Sequence, residues 1–212
     1  MRADLLDAVF SEGRSVDDIG KLMASSNSKD SDPVLFTRLS EDVFDGILFE
    51  ERSSFYYDRI ARTACNKLWP SRDPELSVAV ISAGLCDAFV AQEASITLKF
   101  LGFSNKVYSD CGVDDFSKFN LVPRILDNYK VVIVVAGLDA ALATLVGSVS
   151  EKPVICVPTS VGYGVSRHGE SALASMLLSC APGLAVVNID NGYGAACMAA
   201  RILNLLDGRK ED

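Results

Sequence analysis

Apolar positions in the second part of the chain gather into five short continuous runs, at 77–82, 105–108, 131–136, 153–157 and 184–188. Runs of this length with flanking Gly, Pro, Asn, Asp or Ser read as strands buried on both faces of a sheet. Residues 88–101, 114–128, 138–149, 168–180 and 193–206 instead carry helical spacing. Strand and helix alternating in this way predict a parallel sheet with right-handed crossovers. The expected fold is α/β, a five-stranded parallel sheet in a flavodoxin-like three-layer sandwich.

The first part of the chain is less regular. Leu5, Leu6, Val9 and Phe10 recur at helical spacing, Ser11-Glu12-Gly13 interrupts them, and Ser15 is placed to cap a helix through Ile19. Residues 25–33 are a polar linker, Val34 to Arg38 a short strand, and residues 41–68 a broken helix with Phe44, Ile47 and Leu48 on one face. Trp69-Pro70-Ser71-Arg72-Asp73-Pro74 marks a boundary, since its two prolines exclude a continued helix. Residues 1–74 are therefore expected to form a small, mostly helical appendage and residues 75–212 the α/β domain.

A parallel sheet sends every strand-to-helix loop to one edge, where ligands bind. Those loops run Ser82 to Asp87, Ser109 to Val113, Ala136 to Asp139, Pro158 to Gly164 and Asn188 to Gly194. In Pro158-Thr159-Ser160-Val161-Gly162-Tyr163-Gly164, glycines let backbone N–H groups approach an anion at a helix N-terminus. The same loop also reads as a mobile polar connection. Asp190 or Asn191 can cap the last helix, and Asp87, Asp110 and Asp139 have the same bland reading as caps or turn residues. His168 opens a helix and has no assigned role. Arg38 and Arg62 read either as phosphate contacts or as structural arginines.

Cys180 sits in or just after the last turn of its helix, stopped by Pro182 and Gly183. The negative end of the helix dipole opposes a thiolate there by about 0.3–1 kcal/mol. A cation about 4 Å away would outweigh this by contributing roughly 4 kcal/mol. Residue chemistry alone leaves Cys180 either an inert small group or a nucleophile activated by a cationic substrate.

Composition narrows the classes. A net charge of −8 with a single histidine in 212 residues argues against nucleic-acid or anionic-membrane binding and against a zinc site. Six cysteines, at 65, 86, 111, 156, 180 and 197, show no CxxC spacing. With no apolar leader after Met1, a cytoplasmic protein with reduced thiols is expected. A mean hydropathy of +0.24 suggests surface buried between subunits. The apolar stretch Val131 to Val149 is interrupted by Gly137 and Asp139 and reads as strand, turn and helix, not as a membrane span.

Three words carry a specific likeness: PTSVGYG at 158–164, SCAPG at 179–183 and VNIDNGYGAA at 187–196. With SAGLCDAFVAQEA (82–94), IVVAGLDAAL (133–142), TRLSED (37–42) and YDRIART (57–63), the chain closely resembles the carboxylases of nickel-pincer cofactor biosynthesis, the pyridinium-3,5-biscarboxylic acid mononucleotide synthases. The C-terminal domain of that family is related to phosphoribosylaminoimidazole carboxylase. The resemblance implies carboxylation of the pyridinium ring of nicotinic acid adenine dinucleotide with CO2 or bicarbonate, then phosphoanhydride cleavage releasing AMP. It implies Cys180 as the nucleophile that adds to the ring and Asp87 as a second catalytic residue. Substrate contacts are expected from Ser82, Gly84, Asp110, Gly137, Asp139, Thr159, Ser160, Gly162, Tyr163, Gly164, Asn188 and Asn191. No tightly bound cofactor and no metal ligands are implied; Mg2+ would arrive with the substrate phosphates. The related carboxylases are octamers, so a homo-oligomer is expected.

The chain departs from the family at Leu85 and Cys86, which replace a small polar pair, at residues 112–118, which lack the family's His and Arg, and at Asp139, which stands for Glu. Two alternatives follow: an aminoimidazole ribonucleotide carboxylase or mutase, and a nucleotide-binding oligomer without catalysis.

Overall fold

In the computed structural model the three central strands of the larger sheet fall on continuous apolar runs buried throughout, while its edge strands, at 104–108 and 184–186, are partly exposed. The structure describes residues 8–27, 31–71, 74, 75, 77–114, 117, 120 and 122–207. In the larger unit, β5 (Ser77–Ser82), β6 (Ser104–Tyr108), β7 (Val131–Ala136), β8 (Val154–Pro158) and β9 (Leu184–Val186) form one parallel sheet in the order β6-β5-β7-β8-β9. The helices are α4 (Ala88–Phe100), α5 (Val122–Leu126), α6 (Ala141–Val149), α7 (Glu170–Leu177) and α8 (Gly192–Leu206). The helix expected over 114–128 is described only as α5; several of its other residues lie outside the described set.

Alternation along the strands divides the core in two. Val78, Val80, Val131, Ile133, Val135, Ile155 and Val157 face α4 and α8, whereas Ala79, Ile81, Val132, Val134, Val154 and Cys156 face α5, α6 and α7. Each fully buried Val or Ile stabilises the fold by about 1.5–3 kcal/mol. This is the three-layer sandwich the periodicity predicts.

The N-terminal unit corrects its prediction. Instead of a mostly helical appendage, it is a four-stranded mixed sheet, β1 (Ala8–Phe10), β2 (Leu35–Thr37), β3 (Tyr56–Asp58) and β4 (Thr63–Cys65), in the order β1-β2-β4-β3. Val9 and Phe10, read as helical, pair in parallel with Phe36 and Thr37. Leu5 and Leu6 lie outside the described residues. Helices α1 (Val16–Ser25), α2 (Glu41–Gly46) and α3 (Phe49–Arg52) cover the sheet; Ser15 accepts from the Asp18 N–H, the cap expected of it. Ile19, Met23, Phe36, Leu39, Phe44 and Phe55 fill a separate core. On the other side Leu35, Ala61 and Cys65 join the cluster around α4, which seats the unit on the larger domain.

Candidate active site at the carboxyl edge of the sheet

Backbone strain marks the edge. Eight described residues other than glycine have positive φ: Asp110, Leu138, Ala140, Arg167, His168 and Asp190 follow β6, β7, β8 and β9, and Arg38 and Arg62 reach the same edge from the N-terminal unit. Each such conformation costs of order 1–3 kcal/mol and persists where surrounding contacts enforce it, characteristically at functional sites.

The loops are tied to one another through buried polar groups. Thr159, fully buried, donates its hydroxyl to Asp87 Oδ1 at 2.6 Å, and the Gly84 N–H donates to Asp87 Oδ2 at 2.9 Å. Asp190 Oδ1 accepts from the Ser160 N–H at 2.8 Å, while the Asp190 N–H donates to the Pro158 carbonyl at 2.8 Å. The Leu138 N–H reaches the Val161 carbonyl at 3.0 Å. Burial pushes the Asp87 carboxyl above its ordinary range, against the Thr159 and Gly84 hydrogen bonds that pull it down. Ser82, at the tip of β5, is fully buried with its hydroxyl unpartnered among the described residues, an orphan polar group at the strand end from which the 82–87 loop departs. Ser82, Gly84, Asp87, Gly137, Thr159 and Ser160 are thus brought together.

Other expected contacts have local duties. Asn191 Oδ1 caps α8 through the Gly194 N–H at 2.7 Å, Asp139 Oδ1 accepts from the Ala141 N–H at the start of α6, and Asn188 Oδ1 accepts from the Ile189 N–H. Asp110 sits in a left-handed turn after β6. Gly162 and Gly164 both have positive φ, which a side chain would strain, and Tyr163 between them is 86% exposed. With Leu85, Leu138 and Val165, also exposed, Tyr163 makes an apolar rim around the polar centre.

Cys180 does not stand among these loops. Helix α7 carries the chain away from the edge for eight residues, about 12 Å along its axis, before Cys180 is reached. β9 then begins beside the amino end of β8, with Leu184 opposite Val154. Ser179 is fixed there by a 2.8 Å hydrogen bond to Thr144 of α6. The Cys180 thiol is exposed, flanked by the exposed Leu177 and Leu178. Within one chain the topology therefore sets the Cys180 turn and the glycine loops at opposite ends of the sheet.

Sequence reasoning passed over Glu93. It is buried in α4, accepts from the Tyr193 N–H at 3.1 Å, and lines a crevice with Arg38, Ala61, Arg62, Phe89 and Asp190. The available signal was an acid on the stripe Val90, Ala94, Thr97, which is apolar or uncharged. Burial pushes its carboxyl up to about 7; Arg38 and the Tyr193 and Gly192 N–H groups pull it down, and Asp190 adds to the rise. The folded state therefore binds the extra proton, so the contribution to stability is complete below the ordinary value of 4.5 and is lost as pH rises through about 7. Glu93→Gln is expected to remove on the order of 3 kcal/mol of this pH dependence between about pH 5 and 8. Denaturant midpoints across that range check it; parallel profiles for parent and variant would contradict it.

Among the described residues no helix is long and apolar enough to cross a membrane, and no group of three or more His, Cys, Asp or Glu is arranged to hold a metal ion.

Residues 77–211 match the family described as AIR carboxylase. An uncharacterized protein of Methanocaldococcus jannaschii is 39% identical over 131 residues, which are 61% of this chain and 50% of that protein. An N5-carboxyaminoimidazole ribonucleotide mutase of the same organism is 35% identical over 61% of this chain and 80% of its own length. A probable N5-carboxyaminoimidazole ribonucleotide mutase of Methanothermobacter thermautotrophicus is 29% identical over 63% of this chain and 39% of its own. The chain thus spans half or less of the length of two of these relatives. A crystal structure of a Treponema denticola PurE2 variant superposes with a TM-score of 0.51 at 22% identity, over 62% of this chain and 81% of that one, which establishes the shared fold.

Proposed function

The chain belongs to the AIR carboxylase family, and on that premise we propose that it carboxylates the pyridinium ring of nicotinic acid adenine dinucleotide or a related nucleotide, using CO2 or bicarbonate. The observation that carries this reading is the exposed thiol of Cys180 in the word Ser179-Cys180-Ala181-Pro182-Gly183. A nucleophile is what a cationic ring needs and an aminoimidazole, already electron-rich, does not.

The thiolate adds to a ring carbon, forming a C–S bond and placing the ring's electron pair on nitrogen. The neighbouring enamine carbon attacks CO2, forming a C–C bond. Loss of a proton from that carbon to a base and expulsion of the thiolate restore the aromatic cation. Covalent catalysis of this kind divides one difficult step into easier ones. Asp87, its carboxyl shifted upward by burial and held between the 82–87 and 158–164 loops, serves as that base. Attack of water on the phosphoanhydride releases AMP; Mg2+ carried by the substrate phosphates would neutralise their charge.

Because thiol and loops lie apart in one chain, the site requires two copies: the loops of one and the Cys180 turn of another. Two exposed apolar surfaces support this arrangement, Leu85, Leu138, Tyr163 and Val165 at the rim and Leu177 with Leu178 beside the thiol. A homo-oligomer, the octamer that the resemblance implies, would cover both.

The mutase relatives favour a second reading, carboxylation or carboxyl migration on aminoimidazole ribonucleotide. That chemistry would leave Cys180 idle. Parallel incubations with labelled bicarbonate and Mg2+ separate the two. Label fixed on the pyridinium dinucleotide with release of AMP is the expected result; label fixed on or moved within the aminoimidazole ribonucleotide alone would establish the second reading.

A further inference from the structure

We infer that the N-terminal unit holds a phosphoryl group of the nucleotide in an arginine-lined cavity beside the catalytic edge. The cavity, about 160 Å3, is lined by Ser11, Gly13, Arg14, Arg38, Ser40 and Arg62, together with Glu12 and Val43. Its volume is room for several waters, and so for a phosphoryl group or a pyrophosphate. Three arginines line it in a chain whose net charge is −8. The facing carboxylate is Glu12, 3.7 Å from Arg38 Nη1. Among its lining residues one acid stands against three arginines, while Glu93 and Asp190 face Arg38 and Arg62 from the adjoining crevice.

Each arginine is anchored, Arg38 on two sides by Glu12 and Asp190, and keeps other donors of its five. Arg14 Nε donates to the Phe10 carbonyl at 2.9 Å, Arg38 Nη2 donates to the Asp190 carbonyl at 2.5 Å, and Arg62 lies over the Phe89 ring with its guanidinium carbon 5.5 Å from the centroid. Arg38 and Arg62 both hold left-handed backbone, φ 53° and 48°, and their turns are joined by the Leu39 N–H donating to the Arg62 carbonyl at 2.8 Å. An arginine needs no such conformation to be solvated, so this strain is spent on aim. The crevice containing Glu93 shares Arg38 and Arg62 with the cavity, which sets the cavity beside the catalytic edge. Guanidinium forks match phosphate oxygens in geometry as well as charge.

The inference deepens the proposed reaction by assigning the phosphates of the dinucleotide to this cavity, and it rests on that reading. Its test uses the full chain and inorganic pyrophosphate, which needs no ring chemistry. Calorimetric titration at fixed ionic strength is expected to show binding that Arg14→Ala and Arg62→Ala each weaken about tenfold or more, with partial recovery in Arg14→Lys. Arg201→Ala, a loss of equal charge on the exposed face of α8, is expected to leave the affinity unchanged. Absence of binding by the parent, or equal weakening by Arg201→Ala, would overturn the assignment. Pyrophosphate binding without any carboxylation would overturn the catalytic reading alone. Carboxylation of the dinucleotide with one KM in parent and Arg14→Ala would overturn the cavity alone.

Discussion

Replacing Cys180 with alanine is expected to reduce ring carboxylation to below about one thousandth of the parent rate while changing stability by no more than about 0.5 kcal/mol. The separation of the two effects follows from placement. Cys180 is exposed, two residues beyond the capping residue of α7, and outside the buried clusters on either face of the sheet, so truncating it leaves no cavity. Its neighbours Ser179 and Ala181 hold the turn without it: the Ser179 hydroxyl bonds Thr144 and accepts from the Ala181 N–H at 3.1 Å. Loss of rate with an unchanged unfolding midpoint is therefore a chemical effect. Single-turnover rates with the pyridinium dinucleotide, beside thermal unfolding, make the measurement; a variant that carboxylates at the parent rate would remove the thiol from the mechanism.

Gly137→Ala is expected to have the converse signature, with fold and site failing together. A β-carbon there would lie 2.5 Å from the Val161 carbonyl oxygen, 2.6 Å from the Thr159 hydroxyl and 2.9 Å from the Val161 β-carbon. None of these neighbours can retreat freely. The Val161 carbonyl accepts from the Leu138 N–H, and the Thr159 hydroxyl is committed to Asp87 in a fully buried position. Overpacking of this kind costs about 1–3 kcal/mol, and each kcal/mol lowers Tm by about 2–4 °C in a chain of this size. Relief requires the 158–164 loop to move off the 82–87 loop, so carboxylation is expected to fall by at least about tenfold. Parent-like Tm and rate in this variant would show that the loops are not packed as described.

The larger domain was legible because its three central strands are continuous apolar runs that only a doubly covered sheet can bury. Val131 to Ala136 could be nothing else at that length. The N-terminal sheet was not legible, because its strands are three residues each and Val9 and Phe10 match a helical and a strand register equally well. The carboxyl-edge loops were found from topology. The same topology, carried one element further, places Cys180 off that edge: a residue that follows a crossover helix lies near the opposite end of the sheet. Glu93 and the docking of Arg38 onto Asp190 arise from contacts 100 and 152 residues apart in sequence, which no local pattern records. Left-handed backbone at Arg38 and Arg62 is equally silent in the sequence, since only glycine advertises it.

Shared construction of the site is tested most directly by co-expressing two chains, one carrying Cys180→Ala and the other Asp87→Asn, each inactive alone. If the loops of one copy work with the thiol of another, half of the loop edges and half of the thiols remain intact, and random assembly restores up to about one quarter of the parent carboxylation rate. A mixed oligomer no more active than its two parts would contradict the account, because it would confine both residues to a single chain.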